Sequence, residues 1–115
     1  MSLQKQIKAR KAGAEFFDAR TQISVGDLME KHPDGITIID VFIGTGANGE
    51  YVAFHTLEEP DTFSFGGTVL LNIVKEWAAD VGGIEVVNKD LKADMSKTKF
   101  VRKVNKFNKP YYDVE

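Results

Sequence analysis

One stretch constrains the fold more than any other: ITIIDVFI (Ile36–Ile43), then GTGANG, then EYVAFHTL (Glu50–Leu57). The first run is β-branched and almost continuously apolar, as expected of a strand buried on much of both faces. In the second, Val52, Phe54 and Thr56 share one face, and Tyr51, Ala53, His55 and Leu57 share the other. Asn48-Gly49 between them predicts a hairpin through a type I′ turn, which needs two residues at positive φ. Glu59-Pro60-Asp61 marks the next turn, and TFSFGG supplies a third strand with Phe63 and Phe65 on one face. These three strands read as an antiparallel meander.

The rest of the chain is arranged around that meander. Leu70, Ile73, Val74, Trp77, Ala78 and Val81 recur at steps of three and four, which predicts a helix over Thr68–Val81 ended by Gly82-Gly83. Ile84–Val87 reads as a short strand or a connection, and Lys97–Val104 and Pro110–Glu115 as two strands around a loop at Asn105–Lys109. Upstream, residues 3–20 carry a weak helical pattern interrupted by Gly13, at about 1 kcal/mol relative to Ala. Ser24–Lys31 looks like one or two capped turns, and His32-Pro33-Asp34-Gly35 like a tight turn. Three strands, a helix and two strands is the element order of the five-stranded oligonucleotide-binding (OB) barrel. The expectation is a mainly β chain with one major helix: an OB-fold-like barrel over residues 23–115, preceded by a basic arm, helical or partly mobile, over residues 1–22. At 115 residues there is material for one core.

Charge is segregated along this frame. Residues 88–112 hold eight Lys/Arg against two acids, a net +6, whereas residues 12–87 hold three against thirteen, a net −10. The formal charge of −2 conceals this. In the basic segment the cations Lys97, Lys99, Arg102, Lys103, Lys106 and Lys109 interleave with Phe100, Phe107, Tyr111 and Tyr112. Cations follow a phosphate backbone and flat rings stack on unpaired bases, so this is the mixture a single-strand surface requires. The competing reading is a Lys-protected edge hairpin. No apolar run is long enough for a membrane helix, and the N-terminal MSLQKQIKARK has no apolar region behind it, so neither a transmembrane segment nor a signal peptide is expected. The absence of cysteine excludes disulfides and thiolate sites and fits a cytoplasmic location.

No catalytic constellation stands out. Gly44, Gly46 and Gly49 spell G-x-G-x-x-G after a strand, but strand-like EYVAFHTL follows where a dinucleotide site needs a helix. His32 and His55 have no metal-ligand spacing, and Glu58-Glu59 with Asp61 reads as a solvated turn rather than an acid/base pair. Neither a serine elbow nor a lysine-bearing phosphate loop is present, so no enzyme, metal or cofactor is expected.

The residues GEYVAFHTLEEPDTFSFGGTVLLNIVKEW, followed by KTKFVRKVNKFNKPYYDVE, resemble small single-stranded DNA-binding proteins of phages and prophages of Gram-positive bacteria, over about residues 23–115. The resemblance implies an OB fold and sequence-tolerant binding of single-stranded DNA in phage replication or recombination, inside the bacterial host. Tyr51 and Phe65-Gly66-Gly67 match that pattern best. With the basic segment they give the candidate binding set: Tyr51, Phe65, Lys97, Lys99, Phe100, Arg102, Lys103, Lys106, Phe107, Lys109 and Tyr111. Expected partners are single-stranded DNA, a second copy of the chain, and replication or recombination proteins. The better-known bacterial single-strand binding proteins carry a long tail with an acidic, apolar tip. This sequence runs to YYDVE just after its last strand, so recruitment through such a tail is not expected. The alternative is a small β-barrel adaptor that binds protein and no nucleic acid.

Overall fold

The structure, a computed structural model, describes residue 3 and residues 14–115; the rest of the expected basic arm lies outside the described residues. Residues 14–17 are helical. They lead into β1 (Thr21–Gln22), α1 (Val25–Lys31), β2 (Ile36–Gly46), β3 (Gly49–Thr56) and β4 (Thr62–Phe65), then α2 (Gly67–Val81), α3 (Ile84–Asp94), β5 (Lys97–Thr98), β6 (Phe100–Val104) and β7 (Pro110–Val114).

The meander forms as its patterning implies. β2 and β3 pair antiparallel from Ile38↔Thr56 to Gly46↔Gly49, with an irregularity between Ile38 and Asp40, and β4 joins β3 at Ala53↔Phe65. The hairpin turn is not type I′, because Gly49 takes positive φ (+107°) and Asn48 does not. Ala47 and Asn48 form the two-residue loop, and the left-handed turn of the chain falls on the glycine after them. α1 is capped as expected: the Ser24 hydroxyl accepts from the Asp27 amide at 3.1 Å, while Val25 and Leu28 are buried.

Ile84–Val87 is neither strand nor connection but the first turn of α3. Its β-branched IEVV run favours a strand locally, and tertiary contacts override that preference. Val87 is fully buried and Leu91 packs against the core. Asn88 serves the edge of β2 directly: its Oδ1 accepts from the Val41 amide (2.8 Å) and its Nδ2 donates to the Val41 carbonyl (3.2 Å). β5 reaches only Ile36 and Thr37 of β2, so the helix satisfies backbone groups that strand pairing leaves open.

The expected closed barrel does not form, and the architecture is mixed α/β. The main sheet is open, in the order β1-β4-β3-β2-β5, and β6-β7 make a separate two-stranded sheet. Two features account for the opening. β1 lies parallel to β4 (Thr21↔Thr62, Gln22↔Phe63) and occupies the edge that a closing strand would need. In addition, residues 97–104 divide their pairing: Lys97-Thr98 adds to β2, and Phe100 onward turns away to pair with β7. β1 also puts residues 21–22, assigned from sequence to the arm, inside the sheet. The hairpin stays rooted because Phe100 is buried and stacks on fully buried Phe54, with ring centroids 5.4 Å apart and planes 9° apart.

Candidate nucleic-acid interface

The registers put one aromatic face on the sheet. Phe42 pairs with Ala53 and Ala53 with Phe65, so alternation brings Phe42, Tyr51, His55, Phe63 and Phe65 to the same side. Gly44 lies opposite Tyr51, whose ring occupies the space where a side chain at position 44 would stand, so only glycine lets the ring lie across β2. Phe16 and Phe17 cover the centre of this face. Phe16 stacks on His55 at 3.8 Å, and Phe17 meets Phe63 edge-on at 4.7 Å. His55 Nε2 donates to the Phe16 carbonyl at 2.7 Å, and burial holds its pKa below the ordinary histidine range despite that bond. The Tyr51 and Phe65 end of the face remains open, the two rings meeting edge-on at 5.4 Å.

Two grooves meet there. One, of about 510 Å³, runs along the β2–β3 turn and is walled by Phe17, Tyr51, Phe63 and Phe65. The other, of about 790 Å³, fills the gap between the sheet edge and the hairpin, from Gln22–Gly26 and Phe65–Gly67 across to Pro110, Tyr111 and Tyr112. Gln22 and Phe65 line both. The gap left by the unclosed barrel therefore continues the aromatic face.

The sequence-derived residues distribute unevenly over this surface. Tyr51, Phe65 and Tyr111 line the grooves, and Phe65 keeps 41% of its surface exposed. Phe100 belongs to the core and is closed to a ligand. Phe107 sits at the hairpin tip and lines neither groove. Arg102 pairs across the hairpin with Tyr112, which puts both on the same face of the ribbon, and Arg102 is exposed and lines neither groove. Lys103 is tied to Asp113 at 2.6 Å; that hydrogen bond raises the lysine pKa and lowers the aspartate's. Lys106 and Lys109 are exposed at the tip, while Lys97 and Lys99 are exposed at the hairpin's other end, Lys99 beside Gly35. Among the described residues no Lys or Arg lines either groove, so the cations flank the track.

Sequence reasoning missed Phe17, Phe42, Gln22 and Pro110. Phe42 was recoverable from the alternation of β2. A two-residue strand such as β1 leaves no periodic signal, so Gln22 was not. The acidic turn is structural. Burial alone would raise the Glu58 carboxyl, but the Thr37 amide (2.6 Å) and hydroxyl (2.9 Å) donate to it and hold its pKa below the ordinary value. Glu59 bonds His32 at 3.1 Å. Among the described residues no group of three or more His, Cys, Asp or Glu is placed to hold a metal ion, and no helix is long and apolar enough to cross a membrane. Comparison with protein-family models, curated proteins and solved structures finds no match.

Proposed function

We propose that this chain binds single-stranded DNA without sequence preference, as a non-enzymatic phage or prophage protein acting in replication or recombination in the cytoplasm of its bacterial host. The observation that carries the reading is the placement of Tyr51, Phe65 and Tyr111 along two grooves that meet at Gln22 and Phe65. Rings spaced along an open track accept successive unpaired bases, each stack contributing about 1–3 kcal/mol, and every base offers a π face. Lys106 and Lys109, next in sequence to Asn105 and Pro110 of the second groove, with Arg102, Lys97 and Lys99 farther along the ribbon, contact phosphates and release counterions.

The test is anisotropy of a labelled oligo-dT titrated with protein at two salt concentrations, with a duplex of equal length as control. Salt-sensitive binding that favours the single strand supports the reading; equal affinity for duplex and single strand sinks it. Two observations favour the adaptor alternative: none of the described cations lines the grooves, and β7 pairs only with β6 among the described strands, leaving its other edge for an extended peptide. A chain that ignores oligo-dT but protects its β7 amides when a peptide is added is such an adaptor.

A further inference from the structure

The β6–β7 tip is a hydrogen-bonded loop that presents one large exposed ring. Asn105 Oδ1 accepts from the Phe107 amide (2.9 Å) and the Lys109 amide (3.0 Å), the Asn105 amide donates to the Lys109 carbonyl (3.0 Å), and Asn108 closes the turn at φ +62°. Phe107 is held out on this frame with 71% of its surface exposed, accompanied by the Lys106 ammonium 5.1 Å from its ring centre. A loop backbone already fixed in place loses little conformational entropy on docking.

The complementary feature lies at the opposite end of the same hairpin. A crevice of about 270 Å³ opens between α2, α3 and the hairpin foot, walled by Ile73, Trp77, Leu91 and Val114 and bordered by the carboxylates of Asp94 and Glu115. Ile73 in its wall is 43% exposed. Among the described residues, neither Asp94 nor Glu115 is in an ion pair. An apolar slot with an acidic border suits an aromatic side chain flanked by cations, and Lys106-Phe107-Asn108-Lys109 is such a segment. A hairpin of five-residue strands separates its tip from its foot by roughly 17 Å, so the tip does not reach the crevice of its own chain.

We infer that Phe107 of one copy docks in the α2–α3 crevice of a second copy, with Lys106 and Lys109 facing Asp94 and Glu115. The interface is heterologous: each copy offers a tip at one end of the hairpin and a crevice at the other, so copies add head to tail, as an open chain or, where the rotation between copies closes, as a ring. This inference does not rest on nucleic-acid binding, although a docked tip withdraws Lys106 and Lys109 from phosphates.

Sedimentation velocity without nucleic acid, over a micromolar to millimolar concentration series, tests it. The parent should grow into a ladder of oligomers that shortens as salt rises. Phe107→Ala, lacking the tip, and Ile73→Lys, which sets a cation against the incoming lysines, should each weaken association at least about tenfold, as loss of a central anchor does. Mixed one to one, the two variants should form a heterodimer that grows no further, because one intact tip and one intact crevice remain. A parent that stays monomeric throughout, a Phe107→Ala protein that associates like the parent, or a mixture with no heterodimer would each overturn the inference. Should Ile73→Lys melt early, Asp94→Lys at an exposed position replaces it in the same mixture.

Discussion

The body made by α1–α3 with β2 and β3 and the ribbon made by β6 and β7 use the same residue types to opposite ends. In the body, Leu28, Ile36, Val52, Phe54 and Val87 have essentially no exposed surface. In the ribbon only Phe100 is buried, while Val104, Phe107 and Tyr111 stand open to solvent. The ribbon is held at its root by the Phe54–Phe100 stack and by Tyr112 and Val114 against the core, and is otherwise free of the sheet. Stability therefore resides in the body, and exposed apolar and aromatic surface in the ribbon and the gap it leaves. A closed barrel would have merged the two and removed the groove.

The sharpest way to break that division is to compare Phe54→Ala with Phe107→Ala by urea denaturation. Truncating a fully buried ring removes its transfer energy and leaves a cavity beneath Phe100, so Phe54→Ala should lose about 3–5 kcal/mol. Phe107→Ala should fall within about 0.5 kcal/mol of the parent, as exposed substitutions do. Comparable losses would mean that the ribbon carries the fold as well. Next in size is the binding effect of Phe65→Ala or Tyr111→Ala: a loss of about 1–3 kcal/mol for single strands per engaged ring, with duplex binding unchanged. Anisotropy on variants shown to melt with the parent measures it, and parental affinity in both would remove the stacking track.

The body was the more legible part, and the reason is physical. Continuous β-branched residues in β2, alternation in β3 and three-four spacing in α2 each report burial directly, and Ser24 with Asp27 announces α1. Two elements with weak local signals determined the architecture. α3 begins with IEVV, whose strand preference yields to the burial of Val87 and to the Asn88–Val41 hydrogen bonds, which join residues 47 positions apart in sequence. β1 is two residues long, yet it decides that the sheet stays open. At the site, alternation put Tyr51 and Phe65 on strand faces without saying which face was open, the resemblance to single-stranded DNA-binding proteins singled them out, and charge indicated the ribbon. Local pattern could not separate Phe100 from Phe107, seven positions apart in the same basic stretch, because only the stack on Phe54 distinguishes them.

Among the cations the contrast narrows to single side chains. Replacing Arg102, Lys106 and Lys109 with Ala should flatten the salt dependence of oligo-dT binding by about 0.7 units of log-log slope for each phosphate that no longer meets a cation. Lys103→Ala should leave the slope where it was, since Asp113 already neutralises that ammonium. Equal effects from all four positions would show that the Lys103–Asp113 pair opens on binding and that the ribbon acts as a diffuse cation.

The smallest effect separates the two regions through their acids. Glu58 in the body and Asp113 in the ribbon both have folded pKa values below their ordinary 4.5 and 3.8. A carboxyl depressed by folding stabilises the native state above its unfolded pKa, and that contribution disappears as pH falls through the folded value. Both should therefore contribute fully above about pH 5 and be lost on further acidification. The physical causes differ. Glu58 outweighs its own desolvation through two hydrogen bonds from Thr37, a neutral partner, whereas Asp113 depends first on the ammonium of Lys103 in a half-exposed pair and second on the Val114 amide at 2.9 Å. Salt screens the Lys103–Asp113 pair and barely touches the Thr37–Glu58 hydrogen bonds. Melting temperature followed from pH 7 to pH 3 should fall less steeply in Glu58→Gln than in the parent, by the same margin at low and high salt. Asp113→Asn should differ from the parent by a margin that shrinks as salt rises, the Val114 amide holding the part that salt does not screen. A Glu58 margin that vanishes in high salt would mean that charge on the His32 side, not the Thr37 hydrogen bonds, holds that acid in place.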